Sequence, residues 1–164
     1  MSEIRRKAVE GLQVGDTFSI KRTFTHAEVA SFEQISRDQN PIHSHPDYAK
    51  AKGFKGTIAH GLLTASLVTE IGGQLGWLAA SMSFGFKRPV YPGEALTCEW
   101  RILSIDESGR AEADIKVQNQ GGELVMTART TGVVPNEVER AMLRSMLGEQ
   151  ISVTPAATPM DADP

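Results

Sequence analysis

From Gly61 to Ile71 the chain carries no charged side chain until Glu70. Leu62, Leu63, Ala65, Leu67, Val68 and Ile71 cover most of the helical circumference. A helix that is apolar nearly all round must be enclosed by the rest of its domain. His60-Gly61 opens this helix, and Gly72-Gly73 weakens its continuation.

The enclosing layer is legible downstream. Met82, Phe84 and Phe86 alternate with polar or small residues, as do Leu96, Cys98, Trp100 and Ile102. Ala111, Ala113, Ile115 and Val117 repeat the pattern, and Leu124, Met126 and Ala128 repeat it again. Period-two alternation with one polar face predicts an antiparallel sheet covered on one side. Turns at Tyr91–Glu94, Ser108-Gly109 and Asn119–Gly122 make it a meander. The natural α+β solution curves this sheet around the helix near residues 60–75. A chain of 164 residues, 40% hydrophobic, is one domain with a core of its own.

Upstream, residues 1–15 read as a lead-in ending in a turn at Gly15-Asp16. Phe18, Ile20 and Arg22 alternate as a short strand. Thr25 and Glu28 form a capping box, and Val29, Phe32 and Ile35 follow at helical spacing. Pro46 begins a short helix that ends near Lys52-Gly53. At the other end, Val138, Met142, Leu143, Met146 and Leu147 predict a helix over 136–150. Residues 151–164 have the composition of a disordered tail.

Charge and composition narrow the function. A net charge of −3 and the lack of a basic block argue against nucleic acid or an anionic membrane as the partner. His60, Glu70 and several Gly and Ser residues interrupt the apolar run between 56 and 86, so no membrane span is expected. The N-terminus lacks the apolar core of a secretory signal. The single cysteine, Cys98, fits a reducing, cytoplasmic setting and lies on the apolar face of its strand, where a thiol is inert.

The densest chemistry lies in Asp38-Gln39-Asn40-Pro41-Ile42-His43. Pro41 pushes Asn40 out of the helical region, so the upstream helix stops near Asp38. Asp38 and His43 then stand on two arms of a bend and can face one volume. A carboxylate and an imidazole so placed can hold a water and move its proton. The same residues also make an ordinary Asx–Pro turn, with Asn40 as its support. Ser66 lies within reach of this region in one reading and is a plain buried serine in the other. Leu63, Leu67 and Trp77 divide in the same way between acyl pocket and core, and His60 between the site and a mere helix start. His43, His45, Asp38 and Asp47 are close in sequence, but extended chain sends His43 and His45 to opposite sides, so no metal is expected.

Three separated segments resemble the MaoC-like dehydratases, which include the (R)-specific enoyl-CoA hydratases. They are Phe32–His43 with Ala49 following, Ile58-Ala59-His60-Gly61-Leu62-Leu63, and Phe86–Glu94. The resemblance spans about residues 15–132 and implies a hot-dog domain over 1–135. It implies reversible hydration of a trans-2-enoyl thioester by Asp38 and His43, with the Gly61 N–H as oxyanion donor. Asn40, His60, Leu63 and Ser66 become supporting or substrate-binding residues. No cofactor is implied beyond coenzyme A as part of the substrate, with acyl carrier protein as the other possible carrier, and a homodimer is expected. Arg37 departs from the family, which usually has glycine there. His45 departs from an acidic position. A hot-dog thioesterase and a non-catalytic thioester-binding subunit are the alternatives.

Overall fold

The computed structural model describes residues 2–152. In chain order its elements are α1 (Glu3–Glu10), β1 (Thr17–Thr23), α2 (His26–Ser36), α3 (Pro46–Ala51), α4 (Gly61–Leu75), β2 (Leu78–Phe86), β3 (Ala95–Ile105), β4 (Arg110–Asn119), β5 (Leu124–Val133) and α5 (Glu137–Ser152). The strands form one antiparallel sheet ordered β1-β3-β4-β5-β2.

The inward residues of the sheet are those the alternation selects. Leu96, Cys98, Trp100 and Ile102 on β3, with Ile115 and Val117 on β4, are almost fully buried. They form one core with Leu67, Val68, Ile71 and Leu75 of α4. The expected arrangement, a sheet around a central helix, is therefore present. Burial of this face supplies most of the driving force, at about 25 cal/mol for each Å² of apolar surface removed from water.

Five details differ from the sequence expectation. The helix is not enclosed all round, since Leu62 is 60% exposed beside the cavity described below. It also runs through Gly72-Gly73 and stops at Gly76, which takes the left-handed conformation. The last turn holds because Arg5 donates to the Gly73 carbonyl at 2.8 Å and the Trp77 N–H to the Gly72 carbonyl at 2.9 Å.

Arg5 belongs to α1, in the segment expected to be a lead-in. An isolated helix this short is marginal in water. Ser2 caps it, and Ile4, Ala8 and Val9 bury it against the rest of the fold.

The meander holds only for β3, β4 and β5. β2 pairs with β5 at the far side of the sheet, so residues 87–94 are a crossing connection. Lastly, α5 reaches Ser152, two residues into the segment expected to be the tail; residues 153–164 lie outside the described part of the chain. Among the described residues, no helix is long and apolar enough to cross a membrane.

Candidate active site

Helix α2 delivers Asp38. Its capping box is formed, with Thr25 Oγ1 accepting from the Glu28 N–H at 3.2 Å and Glu28 accepting from the Thr25 N–H at 2.7 Å. Arg22 on β1 ties the helix to the core region through Glu28 at 3.1 Å and Glu70 of α4 at 2.9 Å. Of the apolar residues read at helical spacing, Val29 is buried and Phe32 half-buried, while Ile35 is 82% exposed. The helix ends through Arg37, whose φ of 58° is the left-handed value that glycine adopts freely. This is the position at which the resemblance marked a departure from glycine.

The bend that follows is built from short-range hydrogen bonds. Asp38 Oδ1 accepts from the Asn40 N–H at 3.2 Å, and Asn40 Oδ1 from the Ile42 N–H at 3.3 Å. The Asn40 carbonyl accepts from the His43 N–H at 3.0 Å. Asn40 is exposed and supports the bend through these backbone and side-chain hydrogen bonds.

Ile58 anchors the second arm. Its N–H donates to the Ile42 carbonyl at 3.1 Å, and its carbonyl lies 2.8 Å from His43 Nδ1. A carbonyl can only accept, so Nδ1 carries the proton and Nε2 is left with a lone pair. That Nε2 is 3.7 Å from Asp38 Oδ2. The His43 side chain is 7% exposed and the Asp38 side chain 51%.

The next residues join the bend to the crossing connection, as the Ala59 N–H donates to the Val90 carbonyl at 2.7 Å. His60 follows. It is 1% exposed, its ring stacks on His43 with centroids 3.7 Å apart, and its Nε2 meets the Asp38 carbonyl at 3.2 Å. Burial holds its pKa below the usual imidazole range.

Gly61 begins α4 and faces the cavity. A Cβ there would stand 2.9 Å from the Phe86 ring, so any larger residue would have to displace that ring. The first N–H groups of a helix lack intrahelical partners and carry its positive dipole end.

These elements enclose a cavity of about 580 Å³. Asp38, His43, His60 and Gly61 line it, together with Phe32, Ile42, Phe54, Ile58, Thr64 and Phe86. Lys87 and Arg88 line it too and are exposed. Three expected site residues, Asn40, Leu63 and Ser66, are absent from its wall. Leu63 is buried in the core, and the Ser66 hydroxyl donates to the Leu63 carbonyl of its own helix at 2.6 Å. Leu67 and Trp77 are likewise core. The sequence reading gives Phe32 only a packing part in its helix and assigns Thr64 and the Ile58 carbonyl no part in the site. Lys87 and Arg88 stood in a matching segment without an assigned part.

The metal set weighed from sequence does not assemble. His45 precedes α3 and is exposed, and Asp47 pairs loosely with Lys50 at 3.9 Å. Ligand-capable atoms of Asp38, His43 and His60 do lie within 4.8 Å of one another. Two of the imidazole nitrogens, His43 Nδ1 and His60 Nε2, are turned toward backbone carbonyls.

The family model for the MaoC like domain matches residues 12–122. The chain belongs to the MaoC-like family. An (R)-specific enoyl-CoA hydratase of Aeromonas caviae is 32% identical over 133 residues, covering 78% of this chain and 99% of the relative. A mitochondrial 3-hydroxyacyl-[acyl-carrier-protein] dehydratase of Solanum lycopersicum is 30% identical, covering 77% of this chain and 80% of the relative. The solved (R)-hydratase of A. caviae superposes with a TM-score of 0.72 at 34% identity, over 77% of this chain and 99% of that one. The MaoC-like fold is thus the hot-dog fold expected from the sequence, and the family model spans both Asp38-to-His43 and His60-Gly61.

Proposed function

We propose that this MaoC-like protein is a hydro-lyase that adds water reversibly to trans-2-enoyl thioesters, giving (3R)-3-hydroxyacyl thioesters. The observation that carries the reading is the 3.7 Å separation of Asp38 Oδ2 and His43 Nε2 on the wall of the cavity that Gly61 also lines. That spacing is too long for a good direct hydrogen bond and suits a water held by both groups.

In hydration the water oxygen bonds to C3 while its proton passes to the Asp38–His43 pair. The π electrons move toward C2 and the thioester carbonyl, which becomes enolate-like. The Gly61 N–H and the positive end of α4 stabilise that oxygen. A preorganised donor of this kind contributes about 3–4 kcal/mol. The pair then returns a proton to C2. Dehydration is the same sequence reversed.

The reaction as written requires no metal or separate cofactor. Coenzyme A enters as the handle of the substrate, its pantetheine in the cavity and its phosphates toward Lys87 and Arg88. An acyl carrier protein presents the same pantetheine arm. A homodimer also fits, because β1 and β2 are sheet edges and β2 carries exposed Leu78 and Phe86.

Product analysis tests the reading. With crotonyl-CoA we expect loss of the enoyl absorbance, formation of (3R)-3-hydroxybutyryl-CoA and no release of free coenzyme A. Release of free thiol would instead support a thioesterase.

A further inference from the structure

His60 breaks a local rule of helix construction. As the N-cap of α4, with φ −59° and ψ 138°, it makes no side-chain capping bond. Ser, Thr, Asp or Asn at that position would satisfy a free N–H of the helix. The imidazole instead reaches 22 residues back along the chain, where its Nε2 meets the Asp38 carbonyl at 3.2 Å.

The ring is also spent on a neighbour. It stacks on His43 at 3.7 Å with an interplanar angle of 25°, and it meets Phe32 at 5.1 Å. Its Nδ1 is buried with no hydrogen-bond partner among the described residues. Leaving a buried polar atom unpaired is unfavourable, and a plain helix start would not require it. A residue that gives up a cap and buries an unpaired nitrogen is a candidate for function.

Resting on the hydratase reading above, we infer that His60 is a positioning residue for the proton-transfer pair. Its Nε2–H fixes the backbone of Asp38, and its ring face fixes the plane of His43. The Ile58 carbonyl holds the edge of His43, so edge and face are restrained from separate sides. The charged or titratable groups that act on His60 are Asp38, His43 and Glu33. Burial lowers its pKa and so disfavours a second positive charge beside a proton arriving on His43.

The test compares His60→Ala, His60→Gln and His60→Phe with the native protein, reading kcat and KM for crotonyl-CoA beside thermal unfolding. Gln keeps an N–H near the position of Nε2 without the ring. Phe keeps a ring without the N–H. A displaced catalytic group costs on the order of 10²-fold in rate. We therefore expect kcat to fall about that much in His60→Ala with KM within about threefold, and His60→Gln and His60→Phe each to recover part of the loss. Native-like kcat in all folded variants would overturn the inference, as would a change confined to KM. If His60→Ala does not fold, the Gln and Phe variants decide by the same criteria. Native turnover with unaffected variants removes only His60. No native turnover on any enoyl thioester removes the hydratase reading, and the His60 role with it.

Discussion

His43 Nδ1 lies 2.8 Å from the Ile58 carbonyl, and this one contact fixes the chemistry of the other edge of the ring. Because the carbonyl accepts, the proton sits on Nδ1, and Nε2 faces Asp38 with a lone pair. The imidazole is thus held in the tautomer that accepts a proton from water. Asp38 is held separately, by the bend and by its own backbone carbonyl, and keeps a half-exposed carboxylate.

Arg37→Gly should stabilise the fold. Arg37 occupies the left-handed region at φ 58°, which costs a non-glycine residue about 1–2 kcal/mol. Glycine removes that cost and gives back about 0.4–1 kcal/mol through the greater freedom of the unfolded chain. The net expectation is a gain of about 0.5–1 kcal/mol, read as a higher urea midpoint with an unchanged slope. A lower midpoint would mean that the Arg37 side chain stabilises the fold by more than its backbone costs.

Stability should depend on pH through His60. Its pKa in the fold lies below its usual value of 6.5, chiefly because it is buried. Between those two values the unfolded chain binds more proton than the folded one, so stability rises with pH across that window. It is complete above about pH 6.5 and is lost as pH falls toward the folded value, at about 1.4 kcal/mol per pH unit of the window. Thermal unfolding of native protein and His60→Gln between pH 5 and 8 isolates this contribution. The native midpoint should fall more steeply below pH 6.5 than that of the variant; parallel curves would count against a buried neutral His60.

Lys87 and Arg88 should act on the carrier and not on the acyl group. Both line the cavity and are exposed, and Arg88 is paired with Glu123 at 3.2 Å. Replacing both with alanine should raise KM for crotonyl-CoA about tenfold, equal to about 1.4 kcal/mol, with kcat kept. The native KM should rise with salt and the variant's should not. Crotonyl-pantetheine, which lacks the nucleotide phosphates, should show no difference between the two proteins.

Much of this architecture was legible because it rests on periodicity. The apolar circumference of α4 and the alternation in β3, β4 and β5 each report burial directly, as does the capping box of α2. Asp38 and His43 were legible because Pro41 forces the bend between them. What escaped depends on contacts distant in sequence. α1 is too short to declare itself and is held by the core. β2 ends only eight residues before β3 begins, yet it pairs with β5.

Helical phase keeps Ser66 and Leu63 off the cavity wall. At about 100° per residue, Thr64 lies about 60° around the helix from Gly61, while Leu63 and Ser66 lie about 160° and 140° away. Only the first of these shares the cavity face, and Thr64 is the residue found on its wall. The Ile58 carbonyl could not be anticipated at all, since a backbone group leaves no mark on composition.

The most direct test of the proton-transfer pair is the rate of crotonyl-CoA hydration in Asp38→Asn and His43→Ala beside the native protein. Asp38 is half-exposed, so its amide variant should fold normally. General acid–base groups contribute about 10²–10⁴-fold each, and both variants should lose at least 10²-fold in kcat with near-native unfolding midpoints. Native turnover that survives in both folded variants would contradict the account and move the chemistry elsewhere in the cavity.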